Sequence, residues 1–265
     1  MVIKTISVND LEKIRELQPV GWPGIVEAFT YYIKKPFCYP VKAVCTGELV
    51  GVGAAISYND TGWLAHIIVS EKHRKKGIGG ALVDYLCAYL TEHGQKTIFL
   101  IATELGYSLY KQAGFSEEME YAFFEGVGEL AQVSAENIIR PTPADKEEIL
   151  SMDQAATGEE RRTLLLDYLD TGYIYRKDRK IEGVYLPELG EGLIIADHEE
   201  AGIALLKLRV WFSKKGTLPI ENTVGMDFYR DNGFTETKRL KRMIYGKEIK
   251  WRPDQVYNRI GGNFG

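Results

Sequence analysis

The run Arg74-Lys75-Lys76-Gly77-Ile78-Gly79-Gly80 sets three cations beside three glycines. Glycine lets a backbone approach a ligand closely. A helix start adds unpaired N–H groups and partial positive charge. The chemistry these residues offer is anion binding, and the run is long and cationic enough to cradle a diphosphate.

An apolar run, Trp63 to Val69, leads into this turn as a strand. After it, Ile78, Leu82, Tyr85, Leu86, Tyr89 and Leu90 recur at helical spacing, and Gly94 ends the helix. Upstream, Val2 to Val8 reads as a strand. A helix carrying Leu11, Ile14 and Leu17 follows, then a second over Gly24 to Lys35. Val41 to Cys45 and Leu49 to Tyr58 form a hairpin around Thr46-Gly47-Glu48. Downstream come a strand over Lys96 to Ile101, a helix over Glu104 to Gln112 and a strand over Phe115 to Phe124.

Composition bounds the rest. A chain of 265 residues holds one large domain or two of ordinary size. With 45% hydrophobic and 26% charged residues it reads as globular and soluble. The net charge of −4 gives no bulk attraction to nucleic acid or anionic lipid, so the basic cluster at 72–76 is a local feature. No apolar run approaches the roughly 18 residues of a membrane span. The Met1-Val2-Ile3-Lys4 start lacks a secretory apolar segment. Cys38, Cys45 and Cys87 are odd in number and lack metal-like spacing, which fits free thiols in a reducing cytoplasm. His66, His73, His93 and His198 are too scattered for a zinc site, so no metal is expected.

Arg74-x-x-Gly77-x-Gly79 resembles the Arg/Gln-x-x-Gly-x-Gly/Ala motif of the GCN5-related N-acetyltransferases (GNAT). The element order over residues 1–128 is similar to that of a GNAT domain. The resemblance implies an acetyl-CoA-dependent N-acetyltransferase that moves an acetyl group to an amine of a small molecule or peptide. It places the acetyl-CoA pyrophosphate on Arg74, Lys75, Lys76, Gly77, Ile78, Gly79 and Gly80. The pantetheine arm falls along Ile68 and Val69, on a strand that parts from its neighbour. Tyr110, four residues before Gly114-Phe115, takes the place of the tyrosine that protonates the departing sulfur in that family. Where the family often has Asn, this chain has Thr103, and no contact is assigned to it.

A repeat extends the likeness. Asn222-x-x-Gly225-x-x-x-Tyr229-x-x-x-Gly233-Phe234 matches Thr103-x-x-Gly106-x-x-x-Tyr110-x-x-x-Gly114-Phe115. The expected fold is therefore α/β (α+β), with two tandem GNAT-like domains, each a mixed, mostly antiparallel sheet flanked by helices. The expected bounds are 1–128, a linker over 129–140, and 141–265, where Pro141 to Asp145 opens a new helix. Asp153, Gly158, Arg161, Gly192 to Asp197, Arg242-Met243, Gly246 and Tyr257 resemble the C-terminal domain of YitH-like acetyltransferases. The halves differ at the turn: Asp197-His198-Glu199-Glu200 carries three carboxylates where the first half has three cations. A diphosphate would be repelled there, so only the first half is expected to bind acetyl-CoA. The second half is left as a scaffold, part of the acceptor site, or the contact of a homodimer.

Attack by an amine also needs deprotonation. A lysine-like amine is neutral in only about 1 of 2,500 molecules at pH 7, so a base or a desolvating pocket must raise that fraction. A backbone N–H between Ile67 and Val69 is placed to polarise the carbonyl. His66 is the candidate base by its pKa range. Strand alternation puts positions 63, 65, 67 and 69 on one face and His66 on the other, unless a bulge re-aims it. Trp22, Phe29, Tyr31 and Tyr32 stand where such domains often build an acceptor wall. The competing reading is a non-catalytic acyl-CoA-binding or sensing module.

Overall fold

A computed structural model describes residues 1–126 and 136–265. The expected domain end at 128 and residues 129–135 of the expected linker lie outside the described residues. Two compact units make up the chain. The first is Met1–Ser116 with Met243–Lys247 and Gly262–Phe264; the second is Glu117–Arg242 with Glu248–Gly261 and Gly265.

The first unit runs β1 (Val2–Thr5), α1 (Leu11–Arg15), α2 (Ile25–Lys34), β2 (Cys38–Cys45), β3 (Glu48–Ser57), β4 (Thr61–Val69), α3 (Ile78–Glu92), β5 (Thr97–Ala102) and α4 (Glu104–Gln112). Strands β1 to β4 pair antiparallel in chain order. The β2–β3 turn works because Thr46 and Gly47 both take positive φ, 47° and 85°, which suits a tight two-residue hairpin. Strand β5 joins β4 in parallel. Helix α3 covers one face of the sheet with Ile78, Leu82, Val83, Leu86, Cys87 and Leu90 buried. Its expected stripe was narrower on one side: Val83 and Cys87 join it, while Tyr85 is exposed with its hydroxyl 3.2 Å from that of Tyr39. Trp63 is fully buried, its ring 5.3 Å from Phe99.

The second unit contains β6 (Ser116–Glu125), β7 (Ile138–Ile139), α5 (Lys146–Thr157), α6 (Arg162–Leu165), β8 (Tyr173–Lys177), β9 (Lys180–Leu186), β10 (Leu193–Ala196), α7 (Glu199–Phe212), β11 (Lys215–Pro219), α8 (Thr223–Asp231), β12 (Thr235–Gly246) and β13 (Val256–Asn258). Ser116 of β6 and Met243–Gly246 of β12 count with the first unit. A five-stranded sheet has the order β13-β10-β9-β8-β7, and β11 pairs antiparallel with β6. Strand β13 ties two neighbours together. It pairs with β10 through Ile194↔Asn258 and Ile195↔Val256. The Asn258 side-chain oxygen accepts from the Thr217 N–H on β11 at 2.8 Å, and the Arg259 N–H donates to the Thr217 carbonyl at 2.9 Å. Asp153 on α5 holds Arg161 in a buried two-pronged ion pair at 2.5 and 3.1 Å. Breaking one partner of such a pair strands a buried charge, so it fixes the α5 end firmly.

The architecture is thus mixed α/β, with mostly antiparallel sheets flanked by helices. Among the described residues no helix is long and apolar enough to cross a membrane. No group of three or more His, Cys, Asp or Glu among them is placed to hold a metal ion. All three cysteines are free thiols.

Candidate active site

The glycine turn lies where β4 hands over to α3. Glu71–His73 makes one 3-10 turn, and the chain enters α3 through Gly77 at φ 78°. Nothing crowds Gly77, so its left-handed backbone, not space, calls for glycine there. No side chain caps this helix start. The amides of Ile78, Gly79 and Gly80 have no carbonyl four residues back within the helix, so they are the groups a diphosphate would find. Lys75 and Lys76 are exposed beside them. Arg74 lies across the turn, its Nε donating to the Val69 carbonyl at 3.4 Å and its Nη1 3.2 Å from Glu71. A β-carbon on Gly79 would sit 3.2 Å from Leu109 and 3.8 Å from Val69, so the end of β4, the cradle and α4 converge on one point. The residues present fit an acyl-CoA diphosphate: bare amides, the exposed Lys75 and Lys76, and Arg74, whose carboxylate partner at the turn is the exposed Glu71.

The β4–β5 pairing stops early. Register runs only through Thr61↔Thr97, Gly62↔Ile98 and Trp63↔Phe99, although β4 continues to Val69 and β5 to Ala102. Beyond Trp63 the two parallel strands part. Ile68 and Val69, paired to β3 through Val52 and Gly51, lie on the stretch of β4 past the parting.

A bulge sits in that stretch. Between Ala54↔Ala65 and Val52↔Ile68, the single residue Gly53 faces His66 and Ile67, and His66 takes φ 51°. This corrects the expected alternation. Leu64 packs toward α3, but after the bulge it is Ile67 and Val69 that do so. Residues 63 and 65 therefore do not share a face with 67 and 69. His66 swings toward α2, where its ring centroid is 5.7 Å from Tyr32, 5.9 Å from Phe29 and 6.1 Å from Trp22. Its Nδ1 is 2.8 Å from the Tyr32 hydroxyl, and Asn263 Nδ2 donates to that hydroxyl at 2.9 Å. Burial pushes the imidazole down to about 4.

Tyr110 is buried on α4, and burial pushes its phenol up to about 12. Its ring folds back over Gly106, where a β-carbon would meet the ring at 2.8 Å and the hydroxyl at 3.4 Å. Thr103 caps α4 by accepting from the Gly106 N–H at 3.3 Å. Its hydroxyl is therefore spent on the helix. Among the described residues no hydrogen bond or ring contact joins His66 to Tyr110.

The repeat in the second unit has the same cap and a different end. Asn222 accepts from the Gly225 N–H at 2.8 Å. Tyr229, however, is fully buried, stacked on Phe124 at 4.9 Å, and its hydroxyl has no partner among the described residues. A β-carbon on Gly216 would sit 2.1 Å from that hydroxyl. At the start of α7, Asp197 binds Lys180 and Glu200 binds Lys177, each at 2.6 Å.

Two participants escaped the sequence reading. Leu109 carries no chemical label, and only packing reveals it under the glycines. Asn263 lies 231 positions from Tyr32. Its only advance signal was the glycine-rich end of the chain.

Residues 10–115 match the Acetyltransferase (GNAT) family. That match spans less than half of the chain. No curated sequence matches the chain. Solved structures share its fold. A candidate acetyltransferase from Pyrococcus horikoshii is 20% identical over 100% of this chain and 95% of its own, with a TM-score of 0.85. A GCN5-related N-acetyltransferase from Anabaena variabilis is 12% identical over 92% of this chain and 72% of its own, with a TM-score of 0.61. The glucosamine N-acetyltransferase region of a fungal multi-domain β-N-acetylglucosaminidase is 14% identical over 92% of this chain and 38% of that one, with a TM-score of 0.69.

Proposed function

We propose, taking the family match at residues 10–115 as premise, that this protein is an acetyl-CoA-dependent N-acetyltransferase whose N-terminal half does the chemistry. One observation carries the reading: β4 and β5 part beside an uncapped, glycine-opened helix start flanked by exposed cations. The freed backbone of β4 near Ile68 and Val69 holds the pantetheine arm. The amides of Ile78, Gly79 and Gly80, with Arg74, Lys75 and Lys76, hold the diphosphate. When bound, the acyl-CoA supplies a thioester open to attack by an amine. Backbone N–H groups of β4 polarise its carbonyl, and Tyr110 donates a hydrogen bond to the departing sulfur. The aromatic wall on α2 receives the amine in a dry setting that disfavours its charged form. With three free thiols the protein suits a reducing compartment such as the cytoplasm.

The second half is read as a tandem GNAT-like domain that has lost its cofactor. Carboxylates (Asp197, Glu199 and Glu200) replace the cations at the start of α7. In addition, β13 lies against both β10 and β11, filling the gap that stays open between β4 and β5 in the first half. A slot already paired to the chain's own backbone has no donors left for a pantetheine arm.

The test is thiol release from acetyl-CoA across a broad panel of amines. Acceptor-dependent release with matching N-acetylated product is expected. Binding of acetyl-CoA without turnover on any amine would replace the enzyme with an acyl-CoA-binding module.

A further inference from the structure

We infer that Asn263, Tyr32 and His66 form a directed hydrogen-bond chain that makes His66 an uncharged hydrogen-bond donor in the acetyl-transfer site proposed above, rather than its general base. All three belong to the first unit, where the Gly262–Phe264 segment counts with it. Asn263 Nδ2 donates to the Tyr32 oxygen at 2.9 Å, and that oxygen lies 2.8 Å from His66 Nδ1. Tyr32 is only 1% exposed, so its single hydrogen needs a protein acceptor. With the amide occupying one lone pair, the arrangement that satisfies every atom points the Tyr32 O–H at Nδ1. Nδ1 then accepts, and the neutral ring carries its hydrogen on Nε2.

The surroundings hold that state. The rings of Trp22, Phe29 and Tyr32 surround the imidazole, and no described carboxylate or cation bears on it. The titratable group in contact with the ring is Tyr32 on α2, which in turn feels Cys38 on β2; burial keeps both protonated, and Lys35 bears on Cys38. Nε2 has no partner among the described residues, and His66 sits at the bulge of β4 facing the aromatic wall. The free N–H therefore addresses the acceptor side. It fits an oxygen, carbonyl or hydroxyl, carried by the acceptor near its amine. Simple polyamines have no such oxygen. Tyr32 and Asn263 are positioning residues that act through the imidazole.

Imidazole nitrogen NMR of the full chain tests this without turnover. Wild-type His66 is expected to show hydrogen on Nε2, a bare Nδ1 and no protonation between pH 8 and 5. Asn263→Asp offers only acceptors, so the Tyr32 hydrogen turns to the carboxylate and Nδ1 becomes the donor. The variant spectrum should show the opposite tautomer and protonation at higher pH. Tyr32→Phe should leave a mixture. Hydrogen on Nδ1 in the wild type, or wild-type titration near pH 6.5, would overturn the inference even if neither variant folds. Because the readout is spectroscopic, such a failure is separable from a failure of acetyl transfer, which thiol release reports.

Discussion

Gly79→Glu is expected to abolish coenzyme A binding, with affinity falling at least a hundredfold. Two effects act together. The new carboxylate stands at a helix start whose bare amides favour anions, so it occupies them itself. It also repels the diphosphate. Charge-assisted hydrogen bonds contribute roughly 1.5–3 kcal/mol each, and about 1.4 kcal/mol is tenfold in affinity. Losing two accounts for the expected change. Gly79→Ala is the control. Its β-carbon meets the flexible end of Leu109 at 3.2 Å, so it reports crowding without charge. Arg74→Glu places a carboxylate at the same turn on an exposed side chain, at the loss of its bond to the Val69 carbonyl and its pair with Glu71. Calorimetric titration with coenzyme A reads all three. Unchanged affinity in both Gly79→Glu and Arg74→Glu would remove the cradle.

Tyr110→Phe is expected to leave coenzyme A affinity intact and to lower kcat at least tenfold. The substitution keeps the ring that packs over Gly106 and 6.1 Å from Phe115, so binding and fold persist. It removes only the hydroxyl. Burial holds that phenol near 12, well above a thiol at about 8.5. Full proton transfer to a thiolate is therefore uphill, and Tyr110 acts by hydrogen-bond donation to developing charge. It stays protonated throughout the neutral range, so the rate should show no basic limb from this residue below about pH 10. Steady-state kinetics on any accepted amine measures both parts. Equal kcat in wild type and Tyr110→Phe would make Tyr110 a packing residue.

Much of the first unit was legible in the chain. The glycine turn, the helix it opens and the strand before it follow from residue types with strong local preferences, and Glu104–Gln112 was bounded to the residue. The bulge was not. Period-2 alternation through Trp63 to Val69 gives no sign of the extra residue, because Ala65, His66 and Ile67 are all compatible with a regular strand. One inserted residue reverses every face after it, so the regular alternation fails past Ala65, and the exception allowed for, a bulge that re-aims His66, is the one present. Asn263 was invisible for another reason: contacts over such separations are set by packing, not by local sequence. In the second half, the carboxylates at the start of α7 were readable. The strand Val256–Asn258 lying along β10 was not, since three residues carry too little pattern to name a strand.

A crystal of the full chain soaked with coenzyme A tests the central claim most directly. The diphosphate should lie against the amides of residues 77–80 with the pantetheine arm along β4, and the start of α7 should hold no nucleotide. An empty turn at 74–80, or a diphosphate seated at α7 instead, would contradict the assignment.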